Sequence, residues 1–271
     1  MKIQTRQKIQ HLLRVAHLLP LAEKVLYLRT LVRIRAGNRR FVAAHPDFKL
    51  PPKDVAYDAY SAPDWNFYKT SGEEAALYLA DLMNKYVPGR EPLRVLEWGC
   101  GPARVVRHIP GALQRASRVY GSDYNPASIA WCQRDIPQVT FSLNQLDPPL
   151  PFEGDSFDFI YSISVLTHLS EAVCKRWLAE LYRVLSPGGV LTITTIGDSF
   201  VQSMLPPEVA NYQSTGMLVR DGVEEGKRCF LAVHSPAYAR AQLFSEFEVL
   251  NFEPNAFPYT TQDVWVLRKP A

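Results

Sequence analysis

The chain has 271 residues, of which 47% are hydrophobic and 21% charged, and its formal net charge is +3. This composition excludes a disordered chain and is sufficient for one well-buried α/β domain with additional segments. The charge is unevenly divided, because residues 1–45 hold ten Lys or Arg and one acid, Glu23, whereas the remainder has a net charge of −6. The sequence therefore excludes a nucleic-acid binder that is basic throughout, and indicates a near-neutral to acidic body with a basic N-terminal segment.

The sequence contains no pattern typical of a membrane span or a secretory signal. Its longest run without Asp, Glu, Lys or Arg is residues 184–197, shorter than the roughly 20 residues that a spanning helix needs. Charged residues such as Arg14 and Lys24 interrupt the apolar N-terminal stretches, unlike a signal peptide. Four scattered cysteines without metal-ligand spacing predict reduced thiols, no metal site and a cytoplasmic location: Cys100, Cys132, Cys174 and Cys229.

Residues 1–45 are predicted to form a basic extension of two helices. The first carries an apolar face that includes Ile9 and ends or kinks at Pro20, and the second is expected to stop at Gly37. Residues 46–70, rich in Pro and aromatic side chains, are predicted to connect this extension to the main domain.

From residue 71 to residue 271 the chain is predicted to form the main domain. Ser71 and Glu74 match a capping box that is expected to open its first helix. Strand and helix patterns then alternate, which predicts a Rossmann-like, doubly wound α/β sheet. Residues 199–233 follow the fifth strand as an insertion that could cover an acceptor. The predicted strands are Leu93–Trp98, Arg118–Ser122, Val139–Leu143, Phe157–Ile163, Val190–Ile196, Met217–Val219, Arg228–Val233, Glu246–Phe252 and Val264–Leu267.

A glycine turn follows the first predicted strand. Gly99 and Gly101 lie where the strand passes into a helix, and glycine there lets the backbone turn tightly and approach a ligand closely. Asp123 lies 22 residues after Gly101, at the end of the second predicted strand. An acid in that place can accept hydrogen bonds from both ribose hydroxyls of a nucleoside. The pattern therefore predicts a nucleoside-binding site.

Two further residues indicate which nucleoside fits. The dinucleotide fingerprint has a third glycine where this chain has Arg104. Glu97 precedes the turn, where its carboxylate would repel a pyrophosphate at the helix N-terminus. The same carboxylate suits a ligand with an ammonium and a sulfonium group, and S-adenosylmethionine (SAM) carries both.

Three motifs in order resemble those of the class I SAM-dependent methyltransferases. They are residues 97–104 (EWGCGPAR), 158–169 (DFIYSISVLTHL) and 181–189 (LYRVLSPGG). The resemblance implies a seven-stranded sheet whose last strand is antiparallel, with SAM as cofactor over the carboxyl ends of strands one to four. A looser resemblance, in the segment before the core, is to uncharacterised bacterial methyltransferases of glycan or natural-product gene sets.

The resemblance also implies roles for single residues. Glu97, Gly99 and Gly101 would face the methionine portion of SAM, Asp123 the ribose, and Tyr124 would lie beside the adenine. Where the family usually offers an acid to the adenine amine, this chain has two amides, either of which could form that hydrogen bond. The remaining candidates for cofactor binding are Cys100, Asn144, Gln145 and Ser162.

Three residues are candidates for the acceptor side of the reaction. If the acceptor is a hydroxyl, a base must take its proton, and His is the most common choice. His168 follows the fourth strand, with capping of the next helix as the alternative role. His234 ends an apolar run, and Asp198 ends the fifth strand, where it could orient or deprotonate an acceptor.

The favoured hypothesis is an O-methyltransferase that acts on a small-molecule or glycan acceptor. The alternatives are a non-catalytic SAM-binding module and an NAD(P)-dependent oxidoreductase on a related Rossmann fold, which Glu97 and Arg104 disfavour. A nucleic-acid acceptor is disfavoured by the acidic core. The basic residues 1–40 could pack on the core, meet an anionic acceptor or rest on a membrane surface; the oligomeric state is left open.

Overall fold

The computed structural model describes residues 12, 14, 16 and 18–271. Most of the first predicted N-terminal helix, with Ile9, lies outside these residues. The helices are α1 (Leu19–Ala44), α2 (Lys53–Tyr60), α3 (Trp65–Tyr86), α4 (Ile109–Leu113), α5 (Pro126–Asp135), α6 (Glu171–Val184), α7 (Pro206–Thr215) and α8 (Pro236–Tyr238). The strands are β1 (Leu93–Trp98), β2 (Ser117–Asp123), β3 (Thr140–Leu143), β4 (Phe157–Ser162), β5 (Leu185–Thr195), β6 (Met217–Arg220), β7 (Leu231–His234), β8 (Glu248–Glu253) and β9 (Asp263–Arg268).

Seven of these strands form one sheet in the order β3-β2-β1-β4-β5-β9-β8. Strands β1 to β5 are parallel to one another, whereas β9 is antiparallel to both β5 and β8. Strands β6 and β7 form a separate antiparallel pair. The predicted doubly wound sheet with its last strand antiparallel is therefore confirmed.

The core lies on both faces of this sheet because successive residues of a strand point in opposite directions. Val95 of β1 packs with α3, α4 and α5, whereas the adjacent Leu96 packs with α6. Every residue of β4 is buried, as expected for a central parallel strand covered by helices on both sides. The arrangement leaves the carboxyl ends of β1 to β4 on one edge, where the candidate site lies.

The N-terminal helices differ from the sequence prediction in two places. The predicted capping box at Ser71 is wrong: α3 begins at Trp65, capped by Asp64, whose carboxylate accepts a hydrogen bond from the Phe67 backbone amide at 3.1 Å. Ser71 lies inside α3, where its hydroxyl donates to the carbonyl of Phe67. Helix α3 thus crosses the predicted boundary at residue 70, and that boundary stays a prediction.

The predicted stop at Gly37 is also wrong, since α1 continues to Ala44. Two residues beyond Gly37 face the protein and favour the longer helix. Phe41 packs in an aromatic cluster with Trp65 of α3. The buried Asn38 amide donates to the Pro63 carbonyl at 2.7 Å, and its oxygen accepts from the Trp65 backbone amide at 3.0 Å. Tertiary contacts therefore outweigh the low helix propensity of one glycine.

The opposite end of the sheet is held together by a buried carboxylate. Asp158 of β4 accepts hydrogen bonds from the backbone amide of Arg94 at 3.0 Å and from its guanidinium at 2.8 and 3.1 Å. Arg90 donates to the same carboxylate at 2.8 Å. Burial alone would raise the pKa of Asp158, but these hydrogen bonds outweigh it and hold the pKa below its ordinary value.

Replacing Asp158 by Asn is expected to lower the free energy of unfolding by roughly 2–3 kcal/mol, because two guanidinium groups lose their anionic acceptor. Since the native pKa is lowered, this stabilisation is present above the ordinary pKa of 3.8 and is lost as the pH falls below it. Urea unfolding of both proteins at neutral pH and near pH 3 measures the difference. If the difference in free energy of unfolding between the two proteins is as large near pH 3 as at neutral pH, the stabilising role of the carboxylate is contradicted.

Candidate functional site

A pocket opens at the carboxyl ends of β1, β2, β3 and β4. It encloses about 1120 Å³ of space between protein atoms, part of it open to solvent, which is large enough for a nucleoside-sized ligand. Most of the residues predicted for the site line this pocket: Glu97, Gly99, Cys100, Gly101, Asp123, Tyr124, Asn144, Gln145 and His168.

The turn after β1 requires both of its glycines. Gly99 has a φ of +77° and Gly101 a φ of +49°, a region that side-chain-bearing residues rarely adopt. A β-carbon at Gly99 would lie 2.2 Å from Cγ2 of Val165. The backbone amides of Gly99 and Cys100 both donate to the Ser122 carbonyl, at 2.7 and 3.0 Å. The turn is thus tied to the end of β2, and the absence of a side chain at Gly99 lets Val165 pack closely against it.

The Asp123 carboxylate at the end of β2 is fixed from two sides. It accepts one hydrogen bond from the backbone amide of Gly101 at 2.7 Å and another from that of Asn125 at 2.8 Å. Burial raises the pKa of Asp123, while these amide donors oppose the shift. The carboxylate therefore has a fixed orientation at the pocket wall, as needed to accept hydrogen bonds from a diol.

Glu97 is the more strongly perturbed acid of the pocket. Only 4% of its surface is exposed, and its carboxyl accepts a hydrogen bond from the Tyr161 hydroxyl at 3.0 Å. Burial raises the pKa of Glu97 to about 8, although Tyr161 and Arg104 both act to lower it. In the free protein the group is therefore mostly protonated at neutral pH, and a cation placed beside it would favour the ionised form.

The two amides at the end of β3 differ in their surroundings. Asn144 is buried; its oxygen accepts from the Ser122 hydroxyl, and its nitrogen donates to the Gln145 carbonyl at 2.6 Å. Gln145 has an exposed side chain at the pocket wall. Protein partners thus hold the side chain of Asn144, whereas Gln145 points its side chain toward solvent.

His168 lies in a short 3-10 turn, Leu166–His168, directly after β4. Its Nδ1 is 2.8 Å from the Phe230 carbonyl oxygen. Because a carbonyl only accepts, Nδ1 carries the hydrogen, which leaves Nε2 as the nitrogen able to take up a proton. Burial lowers the pKa of His168 below its ordinary value of 6.5. The ring is therefore neutral at pH 7, as a general base must be.

Three predicted site residues are not brought to this pocket. His234 of β7 is fully buried against the Tyr238 ring, and burial lowers its pKa to about 4. Asp198 accepts a hydrogen bond from the Tyr212 hydroxyl at 2.8 Å outside the pocket lining. Ser162 is buried within β4. The geometry gives these three no contact with the pocket, and their roles stay predictions.

The pocket is covered by two segments, and the second of them lies within residues 199–233, the insertion that the sequence predicts could cover an acceptor. One part is α2, which contributes Asp58 and Tyr60, and another is the loop before β7, which contributes Gly226 and Arg228. The Gly226 backbone is held by the Tyr124 hydroxyl at 3.0 Å and by the His168 carbonyl at 2.9 Å. No short motif marks these segments, because they reach the site only through contacts between residues distant in sequence.

Comparison with known proteins agrees with this geometry. Residues 95–189 match the family model of a methyltransferase domain. The chain is 36% identical over 108 residues to a phthiotriol/phenolphthiotriol dimycocerosates methyltransferase of Mycobacterium leprae. That match covers 39% of this chain and 38% of the relative, so the chain aligns with well under two thirds of the relative's length.

Two solved structures have the same fold at low sequence identity. DesVI of Streptomyces venezuelae has a TM-score of 0.55 at 18% identity, and the match covers 83% of this chain and all of DesVI. The Burkholderia thailandensis 1,6-didemethyltoxoflavin-N1-methyltransferase, solved with its substrate and S-adenosylhomocysteine, has a TM-score of 0.51 at 16% identity. That match covers 83% of this chain and 93% of the other chain.

The raised pKa of Glu97 predicts a specific pH dependence of stability. Because the native carboxyl binds its proton more tightly than the unfolded one, stability falls as the pH rises from the ordinary value of 4.5 through about 8. Glu97→Gln is expected to remove this slope and to be more stable than the wild type above pH 8, by roughly 1–3 kcal/mol. Urea unfolding of both proteins from pH 5 to pH 9 measures the free energy of unfolding at each pH. If this free energy changes with pH in the same way in both proteins, the raised pKa of Glu97 is contradicted.

The glycine turn gives a second prediction. Gly99→Ala is expected to destabilise the protein and to weaken S-adenosylhomocysteine binding at least about tenfold, because the methyl group collides with Val165 in a strained backbone conformation. Gly111→Ala, in α4, is the matched control because a β-carbon at that position would meet no other atom within 4 Å. Thermal unfolding and calorimetric titration should show a neutral or slightly stabilised control. Unchanged binding in Gly99→Ala would overturn this view of the turn.

Proposed function

We propose that this chain, which belongs to the class I SAM-dependent methyltransferases, transfers a methyl group from SAM to a hydroxyl oxygen of a small-molecule or glycan acceptor. The observation that carries the proposal is one pocket with a buried acid, Glu97, on one wall and a neutral histidine, His168, on another. The acid matches a cationic cofactor, and the histidine matches an acceptor that must lose a proton.

The residues of the pocket fit SAM in both shape and charge. The side-chain-free turn at Gly99 and Gly101 allows close approach of a ligand to the backbone, and Glu97 would gain a cationic partner in the ammonium group. Asp123, held by two backbone amides, would accept hydrogen bonds from the ribose. When bound, SAM supplies an electrophilic methyl group on a sulfonium.

The acceptor would bind in a second cavity that adjoins the first. This cavity of about 1000 Å³ lies between α1, α2 and the loop before β7, and it shares Asp58 and Arg228 with the first pocket. Its walls combine apolar and aromatic side chains, such as Leu19 and Tyr57, with charged side chains of both signs, such as Lys24 and Asp54. A cavity of this kind suits an acceptor that carries both apolar and polar or charged groups.

His168 would act as the general base of the transfer. Its Nδ1–H is held by the Phe230 carbonyl, so that the ring is oriented and Nε2 is free of a proton. A hydroxyl acceptor placed beside Nε2 would give up its proton there as it attacks the methyl group. Positioning and exclusion of water by α2 and the 226–228 loop would supply the remaining rate enhancement.

Two alternatives are disfavoured by specific observations. An NAD(P) oxidoreductase needs a turn that accepts a pyrophosphate, but here Glu97 lies behind the turn and a buried Arg104 replaces the third glycine. A non-catalytic SAM-binding module would need neither a second cavity beside the first nor a neutral histidine in the lining of the first pocket.

The names of the two relatives give different kinds of acceptor. The M. leprae relative is named for phthiotriol dimycocerosates, and the B. thailandensis structure is named as an N1-methyltransferase of a didemethyltoxoflavin. The proposal that the methylated atom is an oxygen is supported by His168, the neutral histidine of the pocket. We place the reaction in the cytoplasm, since all four cysteines are free thiols.

The proposal is tested with methyl-tritiated SAM and a panel of sugars, phenols and long-chain alcohols, each with an amine analogue. We expect label in a hydroxyl acceptor, and calorimetric binding of S-adenosylhomocysteine but not of NAD. Transfer only to amines would contradict the oxygen acceptor. Binding of S-adenosylhomocysteine without transfer to any acceptor of the panel would favour the non-catalytic module.

With the acceptor found in that panel, His168→Gln is expected to lower kcat by 10²- to 10⁴-fold, on the order expected for loss of a general base. S-adenosylhomocysteine binding should stay unchanged. Because the pKa of His168 lies below 6.5, the wild-type rate should be level above that pH and fall below it as the base is protonated. The exposed His45→Gln variant is the matched control. If His168→Gln keeps the full rate and His234→Gln loses it, then His234 of β7, and not His168, is the general base.

A further inference from the structure

Helix α1 carries an apolar stripe on the side that faces away from the protein. The stripe residues are spaced by three and four, which places them on one face of a helix. Their surfaces are between 48% and 78% exposed. The stripe consists of Leu18, Leu21, Val25, Leu28 and Val32.

Basic residues border this stripe on both sides. At 100° per residue, Lys24 and Arg35 lie along one edge and Arg29 and Arg33 along the other, and all four are exposed. The only acid in residues 19–44 is Glu23, which turns inward and forms an ion pair with Arg228. The outer face of α1 is therefore apolar along its centre and positive along both edges.

The inner face of α1 already has its packing partners. Near its start Tyr27 contacts the Tyr57 ring, with a centroid distance of 4.7 Å. Near its end Asn38 and Phe41 are buried against α3. The helix is thus fixed with its apolar stripe outward, and the stripe contributes nothing to the core that these contacts form.

We propose that the outer face of α1 binds the surface of an anionic membrane, with the helix lying parallel to the surface. The apolar stripe would enter the boundary between head groups and acyl chains, and the basic edges would contact anionic head groups. Among the described residues, no helix is long and apolar enough to cross a membrane. A second copy of the chain is not expected to cover this face, because the basic edges of the two helices would then lie side by side and repel each other.

Membrane binding would also narrow the class of acceptor. This consequence rests on the proposed methyl transfer. Lys24 belongs both to the basic edge of the outer face and to the lining of the second cavity. Docking of α1 would therefore bring that cavity to the lipid surface and favour an acceptor that carries a hydrocarbon chain. The docking itself needs neither SAM nor an acceptor, so its test is independent of methyl transfer.

The full chain is mixed with vesicles of phosphatidylcholine alone or with added phosphatidylglycerol, and the protein that sediments is measured. We expect binding to the anionic vesicles only, and weaker binding at high salt. The double change Leu28→Gln and Val32→Gln should weaken binding on the order of tenfold or more. Leu77→Gln, at an exposed position of α3, is the matched control and should bind as the wild type does.

Two further variants separate the apolar and the electrostatic contributions. Arg29→Gln with Arg33→Gln should weaken binding at low salt and reduce its salt dependence. Leu28→Trp should show a blue-shifted tryptophan emission with anionic vesicles only. All these side chains are exposed, and circular dichroism of each variant checks that it folds.

Three results would overturn the proposal. They are equal sedimentation with neutral vesicles, unchanged binding of the Leu28→Gln, Val32→Gln variant, and, by light scattering, a wild-type dimer that this variant converts to a monomer. The last result would assign the face to a contact between two copies of the chain.

Discussion

The site depends on one unfavourable arrangement, the burial of the Glu97 carboxyl at the end of a central strand. Burial of an acid without a full counter-charge is costly and raises its pKa, here to about 8. Because β1 lies between β2 and β4 in the sheet, the side chain is almost fully buried at the pocket wall, and Tyr161, Arg104 and a backbone hydrogen bond from Val106 offset only part of the cost. A cationic ligand would relieve it. The buried carboxyl therefore favours binding of a positively charged group in the pocket next to the glycine turn.

The two sides of the pocket have different physical origins. The floor consists of strand ends and of a turn fixed by backbone hydrogen bonds to the Ser122 carbonyl and the Asp123 carboxylate. The cover consists of α2 and the loop before β7, joined mainly by side chains. Arg228 donates to Ser61 at 2.9 Å, forms an ion pair with Glu23 and lies over the Tyr57 ring. A rigid floor with a cover held by side chains suits a site that must admit and release ligands.

The sequence was sufficient to predict the sheet, the glycine turn and Asp123, because these follow from local patterns and short spacings. It was misleading at Ser71, where a capping-box pattern lies inside α3, since the buried Trp65 and the Asp64 cap favour an earlier start. It predicted residues 199–233 as a segment that could cover an acceptor, but not the link that Arg228 forms with Glu23 and Ser61, because these contacts join residues far apart in the chain. His234 ends an apolar run in the sequence, and only the three-dimensional packing reveals that its side chain is buried against the Tyr238 ring and away from the pocket.

The central claim is that Glu97 is protonated in the free protein and becomes ionised beside the ammonium group of the bound ligand. The most direct measurement is calorimetric titration of S-adenosylhomocysteine at pH 7 in two buffers of different ionisation enthalpy, which gives the number of protons released on binding. The account predicts release of close to one proton by the wild type and of almost none by Glu97→Gln. Equal proton release by the two proteins, or proton uptake by the wild type, would contradict it.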